Sequence, residues 1–501
     1  MELLNKRVST TLFRFKCGVM KVVTERRRGE PTAARVLSNE VRSTNARFSC
    51  YFSFLCYSGY KDGKLYPLGL NLSGTRLSMK AWSQQPIPTK GGNVMAKTVS
   101  KKPWTVMVYM AGDNSLDAES VKDLKEMKKV GSTDKINIIA ELDRATGHVA
   151  RRYYLRKGGI VTGDAVASLG AINTGDPKFL SDFIQWGVKN YPADRYLLVL
   201  WNHGAGWDDT DVYADERFRS LRRLATGRIR HALFHTPVRR VLERAKSDMN
   251  YRAILFDDNA KDYLDNQEMK KVLADNAKLL NGKLDILGMD ACLMSMAEVG
   301  YQICESASYT VGSEQTEPFA GWPYNTILDA LAKKPAMTPH DLSMLIVDKY
   351  LASYTSADGV TYSACDLSKA GTLAAAVSGL ASALKASLSD TAARQRLLTV
   401  RTQVQCYEVP ENIDLVDFCS LLAKAGSSPA IVTACQKVIQ AIQTGYVIKQ
   451  GYKGGDLKNS NGVAIYFPTQ TLSPLYAGLD FCKKTGWDGF LKAYLTAIRA
   501  R

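Results

Sequence analysis

Tyr196-Leu-Leu-Val-Leu-Trp201 runs straight into Asn202-His203-Gly204, and Leu284-Asp-Ile-Leu-Gly-Met289 runs into Asp290-Ala291-Cys292. Short apolar runs bounded by Gly and polar residues read as buried strands of a parallel sheet. Ligands of open α/β sheets bind just beyond the carboxyl ends of such strands. One strand end therefore carries an imidazole and the other a thiol. If the two strands are neighbours, they present a nucleophile beside its base.

Outward from these runs, the same pattern repeats. Trp104-Thr-Val-Met-Val-Tyr-Met110 reads as a strand ending at Ala111-Gly112-Asp113-Asn114. Ser115 is the expected cap of a following helix, with Asp117 and Glu119 in its first turn. Ile136 to Ala140 is the next strand, Phe179 to Asn190 a helix, and Asn266 to Leu280 another. Strands alternating with helices at this spacing predict an α/β fold, a mostly parallel sheet with helices on both faces. Beyond about residue 330 the chain is Ala/Leu/Ser-rich and reads as helical, as in Lys369–Ser389, with one late strand at Gly462 to Phe467. The division expected is a basic extension or propeptide over 1–102, a catalytic domain over 103–330, and a helical C-terminal subdomain over 331–501 that completes the fold.

The formal charge of +17 is unevenly placed. Residues 1–102 hold 19 Lys/Arg against 5 Asp/Glu, and residues 217–252 hold 11 against 2. The remainder carries 36 basic and 42 acidic residues. A protein that reads phosphates through its folded surface carries its charge there, so nucleic acid is not an expected partner. The extension lacks periodicity and reads as disordered, with Met95 as an alternative start. Residues 208–252 read as a basic insertion between two core strands. None of the ten cysteines forms a CxxC pair, which argues against structural zinc and a disulfide framework. No apolar stretch reads as a membrane span. No signal peptide follows Met1 or Met95, which points to the cytoplasm.

Of five histidines, only His203 follows a strong strand and abuts glycines. Cys292 follows a strand end where a helix is expected to begin at Leu293. A helix N-terminus favours thiolate through its dipole and unpaired N–H groups. The N–H groups of Gly204 and Cys292 are candidates for an oxyanion hole. A carboxylate beside a thiol raises its pKa. Asp290 therefore suits a receptor for a cationic side chain better than a base.

Four motifs now stand in order: Trp104-Thr-Val-Met-Val-Tyr-Met-Ala-Gly-Asp-Asn114, Trp201-Asn-His-Gly-Ala-Gly-Trp207, Asp290-Ala-Cys-Leu-Met-Ser295 and Gly462-Val-Ala-Ile-Tyr-Phe-Pro468. Over about residues 103–470 the chain resembles the clostripain family of caspase-like cysteine peptidases. The resemblance implies a caspase-like α/β/α sandwich and endopeptidase cleavage after Arg, less readily Lys, in peptide or protein substrates. It implies a dyad of His203 and Cys292, with Asp290 as specificity acid. It also implies self-cleavage between the His and Cys strands, where Arg223, Arg230 and Arg240 are candidate bonds in the 217–252 segment. Exported family members keep export open. A second pocket acid is expected at Glu314 or Glu317.

Some relatives need calcium, so calcium is a possible cofactor. An EF-hand reading of Asp257 to Glu268 fails, because Lys261 stands at a ligand position and Asp262 at the turn glycine. No metal ligands are assigned, and the sequence says nothing of oligomeric state. The competing reading is a catalytically silent, peptidase-like module that binds peptides or partners.

Overall fold

The computed structural model describes residues 100–208 and 254–499, together with the backbone of five strands between residues 7 and 69. The chain divides into two units, Met1–Met95 and Ala96–Arg501. In the first, Arg7–Phe15, Gly18–Arg26 and Ala33–Leu37 form a three-stranded antiparallel sheet, and Leu55–Lys61 pairs with Lys64–Gly69. The sequence read this region as aperiodic, yet runs such as Val19-Met-Lys-Val-Val-Thr24 are rich in β-branched residues that favour extended backbone.

The second unit is built on a nine-stranded sheet. Its strands are β1 (Lys102–Gly112), β2 (Ile136–Arg144), β3 (Ala150–Tyr154), β4 (Ala165–Gly170), β5 (Ala193–Trp201), β6 (Leu284–Asp290), β7 (Ala307–Gly312), β8 (Val360–Asp366) and β9 (Val447–Lys453). The order is β9-β8-β7-β6-β5-β1-β2-β3-β4. The central strands β7, β6, β5, β1 and β2 run parallel, and an antiparallel pair closes each edge.

Alternation along β1 shows how the sheet is sandwiched. Met107, Tyr109 and Ala111 join Leu180, Phe183 and Ile184 of α2 (Pro177–Asn190) on one face. Trp104, Val106, Val108 and Met110 join Leu124 and Met127 of α1 (Asp117–Val130) on the other. The first face also holds α3 (Asn266–Asp275) and α4 (Ala297–Ile303); the second holds α5 (Tyr324–Lys333) and α6 (Pro339–Ser353). Local signals set several ends. Asp176 caps α2 ahead of Pro177, and Asp265 with Glu268 forms a capping box on α3.

The C-terminal portion supplies α7 (Ala370–Ser387), α8 (Thr391–Gln403), α9 (Leu415–Lys424), α10 (Pro429–Ala441), α11 (Asp480–Thr485) and α12 (Trp487–Arg499). It also donates β8 and β9 to the main sheet, strands the sequence reading missed. β9 is a half-exposed edge strand carrying Lys and Gln, so its local pattern is polar. The expected late strand is short, Ala464–Tyr466, and pairs with Asn412–Asp414 outside the main sheet. Leu367–Ser387 is long and apolar enough to cross a membrane. Its Leu373, Val377, Leu380 and Leu384 are buried in the core, which accounts for that apolarity.

Gly288 in β6 lies beneath Trp322, where a Cβ would stand 2.6 Å from the indole edge. The indole N–H donates to the Tyr362 hydroxyl, which in turn donates to the Met289 carbonyl at 3.1 Å. Gly288→Ala is expected to push Trp322 off the sheet and to destabilise the fold by about 1–3 kcal/mol. Chemical denaturation of the variant beside the parent protein measures the difference.

Candidate active site

β5 and β6 are parallel neighbours, with Leu200 opposite Met289 and Trp201 opposite Asp290. His203 and Cys292 each lie two residues beyond this level pair, so the two strand ends deliver them to one place. They line a single cavity of about 40 Å³ with Asp290, Glu317, Phe319 and Gly321. Gly204 is the close approach that permits this, because a Cβ there would stand 2.5 Å from the Cys292 carbonyl oxygen. The Glu317 N–H donates to Cys292 Sγ at 3.2 Å, and the His203 ring meets the Ser115 hydroxyl, with Nε2 to Oγ at 3.0 Å.

The expected helix at Leu293 is not there. Helix α4 begins at Ala297, and Leu293 turns the chain with a left-handed φ of 63°. Cys292 therefore lacks the helix terminus assigned to it, and burial pushes its thiol up to about 12, against the Glu317 N–H, which favours the thiolate, and with the Glu317 carboxyl, which does not. Burial likewise pushes His203 down to about 4. At neutral pH the resting pair is a thiol and a neutral imidazole, not an ion pair.

Beneath the pair lies a cluster of acids. Asp290 is 5% exposed and Glu317 7% exposed. Asp290 accepts from the Tyr324 hydroxyl at 2.8 Å and the Trp322 N–H at 3.4 Å. Burial pushes its carboxyl up to about 7. The buried Glu317 carboxyl faces Asp290, the Ala291 N–H and the Tyr350 hydroxyl, and burial and then Asp290 hold this acid well above the carboxylate range. Asp123 of α1 accepts from Trp201 Nε1 at 2.7 Å; burial, then Asp290, push it up to about 9. No Lys or Arg among the described residues pairs with these three carboxyls at salt-bridge distance. Such a site favours an incoming cation.

Glu314, the other expected pocket acid, does not line the cavity. Its carboxylate accepts from Tyr407 Oη at 2.7 Å and the Gly462 N–H at 3.1 Å, in a buried network shared with Asp414. The peptide geometry after β7 separates the two glutamates, sending Glu314 to the loops at Tyr407 and Gly462 and Glu317 under the thiol. Arg223, Arg230 and Arg240 lie outside the described residues. Among the described residues no group of three or more His, Cys, Asp or Glu is placed to hold a metal. Asp257 in particular is engaged by the N–H groups of Thr174, Asn259 and Ala260 and by the Thr174 hydroxyl. Asp123, Ser115, Trp322 and Tyr324 were not singled out for the site by sequence; the first two lie on or before a helix beside β1, where only proximity to the strand ends marked them.

A level Cys/His pair at the carboxyl edge of a mostly parallel sheet, helices on both faces, defines a caspase-like α/β sandwich. The clostripain family profile matches residues 108–238 and 241–494, so the chain belongs to that family. Clostripain of Hathewaya histolytica is 27% identical over 255 residues, which make up 45% of this chain and 42% of that protein. The match thus spans less than half the length of that relative. A secreted cysteine protease of Bacteroides thetaiotaomicron, solved with an irreversible peptide inhibitor, superposes with a TM-score of 0.53 at 21% identity, over 77% of this chain and 99% of that one. An inactive zymogen protease of Parabacteroides distasonis gives the same score, identity and coverage. These two structures support the fold.

The buried acids make a pH prediction. The folded Asp290 carboxyl holds its proton up to about 7, whereas an unfolded Asp loses it near 4. The folded state binds more protons between those values, so this group's contribution to stability falls as pH rises through that window. Asp290→Asn keeps a hydrogen-bond acceptor for Tyr324 and removes the penalty. Relative to the parent, the variant is expected to gain stability at pH 8 and little at pH 4. Thermal unfolding at the two pH values reads this out.

Proposed function

We propose that the chain is a cysteine endopeptidase that cleaves after Arg, less readily after Lys, and is matured by self-cleavage within 217–252. The observation that carries this reading is the joint placement of Cys292 and His203 over Asp290 and Glu317, acids with no cationic partner among the described residues. A guanidinium reaching into the cavity supplies that partner bidentately, which an ammonium does less well. Family membership supports the reaction class, and the inhibitor-bound relative has a peptide in its site.

In this mechanism the substrate excludes water and the Cys292 proton passes to His203 as sulfur attacks the scissile carbonyl carbon. The C–S bond forms and the carbonyl oxygen becomes an oxyanion, held by the N–H groups of Gly204 and Cys292. Collapse breaks the C–N bond, and His203 gives its proton to the leaving amine. A water then attacks the thioester carbon, giving a proton to His203; collapse breaks the C–S bond, the carboxylic acid product leaves, and His203 returns the proton to sulfur. Because the resting pair is neutral, the proton moves with attack rather than before it. The two-chain maturation follows from the Arg-rich segment between the His and Cys strands, which offers the bond type the pocket selects.

Cys292→Ala is expected to abolish cleavage of an Arg-containing peptide amide and to leave the purified chain as one band. Persistent cleavage by this variant overturns the assignment. Glu317→Gln is expected to lower kcat/KM on the Arg substrate by roughly tenfold to a hundredfold, the cost of one charge-assisted contact. An apolar residue at the cleaved position serves as the comparison substrate and is expected to be cleaved no more slowly than by the parent.

A further inference from the structure

Ser115 sits where the sequence predicts the cap of α1, yet it does not cap the helix. Leu116 holds the N-cap position without a side-chain hydrogen bond. The Ser115 hydroxyl is turned instead to His203, 3.0 Å from Nε2. We propose that Ser115 is the positioning residue of the catalytic imidazole. This inference rests on the reading of His203 and Cys292 as the dyad.

Three observations support the assignment. First, the ring has no carboxylate at salt-bridge distance among the described residues, and burial acts on it uncompensated. Among the described residues no carboxylate takes the place of the third member of a triad, which elsewhere fixes the tautomer. Second, the loop that carries Ser115 is held rigidly. Asn114 Nδ2 donates to the Ala111 carbonyl at 2.8 Å, and the Leu116 N–H donates back to Asn114 Oδ1 at 2.9 Å. Third, the same loop is tied to the histidine's backbone. Asn202 Nδ2 donates to the Ala111 carbonyl, while Asn202 Oδ1 accepts from the His203 N–H. Main chain and ring of His203 are thus both referenced to the end of β1.

The chemistry follows from one occupied nitrogen. We assign the tautomer in which Nε2–H donates to Ser115 Oγ, which leaves the Nδ1 lone pair to take the Cys292 proton. When the imidazolium forms, Ser115 continues to accept from Nε2, and Nδ1–H is the proton delivered to the leaving amine. The hydroxyl is neutral, so it orients the ring without raising its pKa as a carboxylate does. A ring released from this contact rotates and samples both tautomers, which slows the steps that move a proton and spares substrate binding.

Ser115→Ala, in the full chain, is therefore expected to lower kcat for an Arg peptide amide roughly tenfold to a hundredfold, the worth of one hydrogen bond to a group that becomes charged. KM is expected to stay within about twofold, as for an interaction that binds ground and transition states unequally. Ser115→Thr keeps the hydroxyl and is expected to restore most of kcat. An Arg p-nitrophenyl ester, whose leaving group needs no proton, is expected to lose less in Ser115→Ala than the amide does. Ser115→Ala with undiminished kcat overturns the proposal, as does an equal loss on amide and ester or a failure of Ser115→Thr to rescue. Failure of the dyad reading is a separate result, seen as retained cleavage by Cys292→Ala.

Discussion

Trp201 and Asp290 stand opposite each other at the ends of two adjacent parallel strands, and the site depends on that level pairing. A strand register is a discrete quantity. A slip of one residue turns every side chain of a strand to the other face and moves its tip by about 3.3 Å. β5 and β6 resist a slip because both faces are buried: Leu198 and Leu200 lie in one core, Leu197 and Val199 in the other. The core thus sets the height at which an imidazole and a thiol emerge. Gly204 then brings its loop against the Cys292 carbonyl without a Cβ in the way.

The second constraint is electrostatic and runs against stability. Asp123, Asp290 and Glu317 are buried together without a counter-cation among the described residues, and burial raises each of their pKa values. A fold optimised only for stability would replace such acids with apolar groups. Their retention makes physical sense when a cationic side chain arrives to share the site. The neutral thiol and imidazole above them belong to the same economy of charge. Burial disfavours the ionised forms of the acids and of the thiol alike, and in this reading a guanidinium entering below eases ionisation of both. In this reading, substrate selection and activation of the nucleophile are coupled through one cavity.

The loop after β7 joins these constraints to the rest of the molecule. Trp322 packs on Gly288 and hydrogen-bonds Tyr362 of β8, while Tyr324 reaches back to Asp290. Two residues of that loop go opposite ways, Glu317 under the thiol and Glu314 to Tyr407 and Gly462. Strand β8 and the loops at Tyr407 and Gly462 therefore hold the pocket floor in place, although none of these residues lines it.

The sequence by itself determined the α/β class, the strands β1, β2, β5 and β6, and the identity of His203, Cys292 and Asp290 as residues at strand ends. Those features are local: apolar runs of strand length, the glycines that follow them, and the polar residue where each run stops. Tertiary structure decided what depends on non-local neighbours. Edge strand β9 carries Lys, Gln and Gly after Val447-Ile448, too polar a pattern to read as a strand alone, and it pairs with β8 in the fold. Ser115 has the residue type and position of a helix cap, yet its hydroxyl faces an imidazole 88 residues away in sequence. Glu314 and Glu317 read alike in the chain, and only the turn of the backbone sent one to the site and the other to a distant tyrosine. Cys292 read as a thiol at a helix terminus, but the helix begins five residues later and burial reverses the sign of its pKa shift. Periodicity and turn chemistry are written along the chain, whereas burial, charge and hydrogen-bond partners are properties of what the fold brings alongside.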